Sequence, residues 1–276
     1  MQATAPPGPT TSAPAQNIKR CKIAKMPVSQ IQGQKVYYQH SSPTDTNGTT
    51  IVLIHGLGSS HAFYEPIVPE LMKHGYACLA IDTPGSGSSQ PASKDRTPKE
   101  IASVISDLLN TLSINMSKSI VVGHSMGGMI ASELAVQGVL GSVLIGPVHP
   151  SPKLATVFNQ RIETVQKNGL EALADTVPKA ATGSLSTPTH HAFIRALILS
   201  QTTENYASLC RTIATASVPE YSKINSPVLV IAGGDDKTSP LEGCQTIINR
   251  HGVGHWHVIE APEQIGHLIV DFAHSL

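Results

Sequence analysis

Ser119-Ile120-Val121-Val122-Gly123-His124-Ser125-Met126-Gly127-Gly128 is the stretch whose reading decides the fold. Its first half is a short apolar, β-branched run, the pattern of a buried strand. Residues 129–136 follow with the composition of a helix. Between them lies Gly-x-Ser-x-Gly, at residues 123–127. A serine held on a sharp strand-to-helix turn projects its hydroxyl above the sheet, and the turn closes only if the residues two before and two after it are small. The following helix would aim its N-terminus at any oxyanion formed there. Ser125 is therefore the candidate nucleophile.

Outward from this point, strands and helices alternate. Residues 28–31 and 36–38 predict a hairpin around Gly33, and residues 50–54 a buried strand that stops at His55-Gly56. Phe63, Tyr64, Ile67, Val68, Leu71 and Met72 share one helical face, with Gly75 placed as a C-terminal cap. A strand over 76–81 breaks at Asp82-Thr83-Pro84-Gly85-Ser86-Gly87, a turn. Thr97 and Glu100 form a capping box with Pro98 at the first helical position, ahead of a stripe at Ile101, Val104, Ile105, Leu108, Leu109 and Leu112. Residues 141–145 and 227–232 are further buried strands. This order predicts an α/β protein with a mostly parallel central sheet and helices on both faces. About 80 residues, 147–224, separate the last two strands and carry helical patterns. That is too long for a loop and predicts a helical cap. The expected organisation is a disordered tail at 1–25, a core at 26–146 and 225–276, and the cap between.

Composition bounds the function. In 276 residues, Lys+Arg and Asp+Glu both number 19, which argues against nucleic acid or an anionic membrane surface as partner. No apolar run reaches the ~20 residues of a membrane span. The N-terminal 17 residues carry no charge and no apolar signal core, so a cytoplasmic location is the default. Cys21, Cys78, Cys210 and Cys244 are widely spaced and show no metal pattern, and neither HExxH nor a dinucleotide fingerprint is present. No metal and no cofactor is expected, and the partner is a small-molecule substrate. Oligomeric state is not legible.

A serine nucleophile needs a base, and the base an orienting carboxylate. The strand over 227–232 runs into Gly233-Gly234-Asp235-Asp236-Lys237-Thr238-Ser239-Pro240, acids at the carboxyl edge of the sheet. Backbone amides of Leu57, in His55-Gly56-Leu57-Gly58, and of Met126 are placed to form an oxyanion hole. His55 and His124 read as structural histidines that order their turns. Taken together, His55-Gly56-Leu57-Gly58, the 82–87 turn, Gly123–Gly127, the Gly-x-x-Asp-x-x-x-Pro segment and a late Gly254-His255-Trp256 resemble the α/β-hydrolase fold family. The resemblance covers about residues 28–276. It implies the carboxylate three residues after Gly233 and four before Pro240, which is Asp236, with Asp235 hydrogen-bonding the loop. A stretch over 197–214 is similar to 3-oxoadipate enol-lactonase-like members. Those relatives open a lactone bearing a carboxylate, which implies a cationic cap residue, Arg211 or Arg195.

Two histidines compete for the base. His267 lies 31 residues after Asp236, His255 only 19. The longer spacing suits a complete final strand. However, Ile265, Leu268, Ile269 and Phe272 form a helical stripe after Pro262, and His267 sits about 160° from its centre, facing water. Residues 254–263 also resemble the family's active-site histidine loop followed by its terminal helix, which implies His255 as the base, with the last strand shortened, missing or rebuilt near 245–252. The expected activity is hydrolysis of a small ester or lactone through an acyl-enzyme on Ser125. The alternatives are a hydrolase-like receptor without turnover, or a cofactor-free C–C hydrolase or haloperoxidase-type enzyme using the same residues.

Overall fold

The computed structural model describes residues 27–239, 249–250 and 254–276. The N-terminal tail, Cys21, Pro240 and Cys244 fall outside these residues. The strands are β1 (Val28–Ile31), β2 (Gln34–Ser41), β3 (Thr50–Ile54), β4 (Ala77–Ile81), β5 (Ser119–His124), β6 (Gly141–Ile145), β7 (Val228–Gly233) and β8 (Asn249–Arg250). They form one sheet in the order β1-β2-β4-β3-β5-β6-β7-β8. β1/β2 and β2/β4 are antiparallel and every other pair is parallel.

Alternation along the strands divides the core in two. Val52, Ile54, Leu79, Ile81 and Val121 point to one face. There they meet Ile101, Val104, Ile105 and Leu108 of α2 (Pro98–Thr111) and Met129, Ile130 and Leu134 of α3 (Met126–Val136). Ile51, Leu53, Ala80, Ile120, Val122 and Val143 point to the other. Those pack on Leu71 of α1 (Val68–Lys73) and on Ile265 and Ile269 of the last long helix, Pro262–His274. Burial of both faces explains why the central strands read as continuous apolar runs. Both hydrogen bonds of the Thr97/Glu100 capping box are present, at 3.2 and 2.8 Å.

Three boundaries differ from the sequence reading. β2 runs on through Gln39-His40-Ser41 because these residues pair with β4, although their polarity gives no strand signal. The helix expected over 63–72 is split into a 3₁₀ turn, His61–Tyr64, and α1, since Pro66 and Pro69 lack the N–H donors a continuous ladder needs. α3 starts at Met126, directly after the serine. The last strand is the two-residue β8.

Between β6 and β7 the chain forms four helices: α4 (Pro152–Asn168), α5 (Glu171–Ala180), α6 (Pro188–Leu199) and α7 (Thr203–Ala214). α4 packs on α7, and α5 on α6. The single turn α8 (His257–Glu260) and the longer α9 (Pro262–His274) complete the fold. Among the described residues no helix is long and apolar enough to cross a membrane.

Candidate active site

Ser125 sits between β5 and α3 with φ 53° and ψ −116°. A left-handed φ at a residue with a side chain is strained, and its surroundings hold it there. Its N–H donates to the Ile145 carbonyl at 2.9 Å, and its carbonyl accepts from Gly128 N–H at 2.9 Å. A Cβ at Gly123 would strike the Gly127 carbonyl, and one at Gly127 the Ile54 carbonyl. Glycine is required at both because backbones cross there, which is the steric reason for the motif.

The turn delivers Ser125 Oγ to 2.9 Å from His255 Nε2, and His255 Nδ1 lies 2.9 Å from Asp236 Oδ2. Asp236 leaves β7 in a tight turn in which its Oδ1 accepts from the N–H groups of Thr238 and Ser239, both at 2.8 Å. One carboxylate oxygen thus serves the loop and the other the imidazole. Burial would raise the Asp236 carboxyl, but the His255 ring and the backbone donors outweigh it and hold the group below its ordinary value. Asp235 faces away and accepts from Ser184 N–H at 3.0 Å, tying the loop to the segment after α5.

His255 is fixed through its backbone. Its carbonyl accepts two imidazole N–H bonds, from His124 Nε2 at 2.7 Å and His257 Nδ1 at 2.9 Å. Because the acceptor is a carbonyl, both nitrogens carry protons, which sets the tautomers of these two rings. Both rings are buried, and desolvation lowers both pKa values, that of His257 to about 4, so they are neutral at neutral pH. His124 also stacks on Phe63 at 4.4 Å. His55, at the end of β3, accepts from Thr83 N–H at 3.2 Å through Nε2 and bonds the Gly56 carbonyl through Nδ1.

Glu260 completes the clamp and was not singled out in the sequence. Its Oε2 accepts from Gly254 N–H at 3.1 Å and Gly183 N–H at 2.7 Å, and its Oε1 from Trp256 N–H at 3.1 Å. One buried carboxyl therefore grips the amides on both sides of His255 and joins them to the segment after α5. His255 N–H itself donates to Ala181 at 2.8 Å. Burial raises the Glu260 carboxyl despite these donors. Glu260→Ala is expected to lower kcat by roughly tenfold to a hundredfold through misplacement of the ring. KM should change far less, and Glu260→Gln, which keeps one accepting oxygen, should recover part of the loss. Steady-state kinetics beside a melting curve would check this; equal losses in kcat and in folded fraction would reduce Glu260 to a stability residue.

A cavity of about 130 Å³ opens over the serine, lined by Leu57, Ser125, His255, Trp256, Phe158 and Arg161 among others. Leu57 is thus at the site, and Met126 is buried at the first position of α3. Arg211 and Arg195 are not brought there. Arg211 pairs with Asp95 and lines a separate cleft between α7 and the 84–96 loop. Arg195 pairs with Asp175 on the exposed outside of α5 and α6. The inner face of α7 is instead given to Tyr206, Cys210 and Ile213. Among the described residues the cation that reaches the serine cavity is Arg161 of α4, its guanidinium 5.1 Å above the Phe158 ring. His267 lies on α9, its side chain 62% exposed and 3.6 Å from Glu70.

This strand order and this elbow define a hydrolase of the α/β class, and the sequence agrees. The profile of the alpha/beta hydrolase family matches residues 51–266, and the chain belongs to that family. Among solved structures it is similar to the enol-lactonase of Burkholderia xenovorans LB400, with 27% identity and a TM-score of 0.79 over 89% of this chain and 99% of that one. A thermophilic esterase from Thermogutta terrifontis shares the fold at 21% identity, TM-score 0.80, covering 91% and 99% of the two chains. RutD of Agrobacterium fabrum is 28% identical over 148 residues, 52% of this chain; the match spans only 56% of that relative.

Proposed function

We infer that the chain is a serine hydrolase of small esters or lactones, with residues 147–224 as its cap. Ser125 Oγ attacks the substrate carbonyl while His255 Nε2 takes its proton. Asp236 fixes the ring with Nδ1–H toward its own Oδ2 and stabilises the imidazolium that forms. The N–H groups of Leu57 and Met126 serve the oxyanion of the tetrahedral intermediate. His255 then gives the proton to the leaving oxygen, and water, activated by the same ring, releases the acyl group. The observation that carries this reading is the pair of 2.9 Å contacts running from Ser125 through His255 to Asp236. Further support comes from the enol-lactonase, which is similar over nearly its whole length.

A fluorophosphonate probe is expected to label Ser125 and no other serine, because Ser125 lies beneath a cavity and is paired with an imidazole that a carboxylate orients. Intact mass and peptide mapping give the answer, together with turnover of p-nitrophenyl acetate that Ser125→Ala abolishes. A folded protein that takes no label and turns over no ester would instead be a hydrolase-like binding protein.

A further inference from the structure

The N–H of Leu57 belongs to the same planar peptide unit as the Gly56 carbonyl. That carbonyl accepts from His55 Nδ1 at 2.7 Å, so the core holds one end of the unit. Beyond it the loop leaves for the cap. Gly58 has φ 73° and passes against α6 and α7, where a Cβ would come 3.2 Å from Tyr206 and 3.4 Å from Ile198. Ser59 is fully buried, and its carbonyl accepts from Gln201 Nε2 at 3.1 Å. Among the described residues no other cap side chain hydrogen-bonds residues 55–60. Gln201 sits at the tip of a stiff corner. α6 ends at Leu199 and α7 begins at Thr203. Ser200 Oγ donates to the Leu197 carbonyl at 2.7 Å and Thr202 Oγ1 accepts from Asn205 N–H at 3.2 Å, so side chains close both helix ends. Because its partner on Ser59 is a carbonyl, Gln201 must turn its NH₂ that way. Its Oε1 is left buried with no partner among the described residues, and so is Ser59 Oγ. An unpaired buried acceptor costs stability, which an apolar side chain would spare. Stability therefore does not explain a glutamine at this corner.

We propose that Gln201 is a positioning residue for the oxyanion hole: it holds the Ser59 carbonyl, and through Gly58 and Ser59 the α6–α7 corner of the cap fixes the direction of the Leu57 N–H. This rests on the serine-hydrolase reading, with Leu57 as an oxyanion donor. Such a donor counts only if it already points where charge forms in the transition state. Without the Gln201 bond the Leu57 peptide keeps its His55 anchor alone. Ser125, His255 and Asp236, none of which hydrogen-bonds Gln201, stay in place. The cap thereby contributes to the chemical step as well as to enclosing the substrate.

The test pairs p-nitrophenyl acetate with its thiono analogue, in which sulfur replaces the carbonyl oxygen. Sulfur is a weak acceptor and gains little from an oxyanion hole. Gln201→Met keeps the length of the side chain and removes the donor. It is expected to lower kcat on the oxygen ester by about tenfold to a hundredfold with KM nearly unchanged. The thiono ester should lose much less, so the oxygen-to-sulfur rate ratio drops by about tenfold. The melting temperature should stay within about 4 °C of the wild type. Gln201→Glu, of the same shape but without a donor at neutral pH, should lower the ratio equally. Asp95→Asn loosens α7 from the core at Ser208 and Arg211, away from the loop, and should leave the ratio unchanged. An active wild type whose ratio neither Gln201 variant alters, or a ratio that Asp95→Asn lowers as far, would overturn the positioning role and leave the hydrolase reading standing. A folded wild type that turns over neither ester would overturn both.

Discussion

Replacing His255 with alanine is expected to lower kcat at least about a thousandfold, whereas His267→Ala keeps most of the wild-type rate. In the native site His255 Nε2 is 2.9 Å from Ser125 Oγ, and among the described residues no other imidazole is placed to take that proton. His124 already uses Nε2 to hold the His255 carbonyl, and His257 uses Nδ1 for the same oxygen. Both are neutral and aimed at structure. His267 lies on the solvent side of α9 next to Glu70. Steady-state kinetics on a p-nitrophenyl ester decide, with circular dichroism confirming that both variants fold. A dead His267→Ala beside an active His255→Ala would reassign the base.

The fold was legible because its determinants are local. Central strands buried on both faces must be apolar along their whole length, and a helix buried on one face must repeat at 3.6 residues. The elements that escaped are those whose cause is a distant partner. The second half of β2 is polar and becomes a strand only because β4 lies beside it. The start of α3 at Met126 follows from the elbow, since the φ of 53° at Ser125 lets the helix begin at the next residue. β8 is too short for periodicity to reveal.

At the site, Ser125 could be singled out because the glycine spacing around it is a steric requirement. The two histidine candidates could be ranked because helical geometry turned one of them outward. The cation could not be chosen in the same way. Arg211 and Arg195 follow from a segment similarity alone, yet a helical residue's direction is set by which face of its helix packs inward. α4 did carry a signal: Leu154, Phe158, Ile162 and Val165 form its inward stripe, and Arg161 lies three residues from Phe158 beside it. A cation on the edge of an apolar stripe needs a reason. Glu260 gave a similar sign, being a carboxylate within the buried run His257–Glu260.

Asp236→Asn is expected to cost about four orders of magnitude in kcat while leaving the fold in place, because the loop dictates which way the amide points. Oδ1 of Asp236 accepts from two backbone N–H groups, and only an oxygen can do so. In the asparagine variant the carbonyl must take that position, which turns the amide NH₂ toward His255 Nδ1. An NH₂ donates, so Nδ1 must become the acceptor and the ring proton moves to Nε2. That nitrogen then cannot accept the proton of Ser125, although every heavy atom remains near its native place. Nitrogen-15 shifts of the His255 ring would show the tautomer change directly, alongside the kinetics. Stability gives an independent check. The folded Asp236 carboxyl titrates below its unfolded value, so the charged form contributes stability above the ordinary carboxylate range and loses it as pH falls through the folded pKa. Any stability gap between wild type and Asp236→Asn should therefore narrow as pH drops below about 4. An asparagine variant within tenfold of the wild-type rate would shift the orienting role to Asp235, whose carboxylate would then have to leave Ser184 and swing inward.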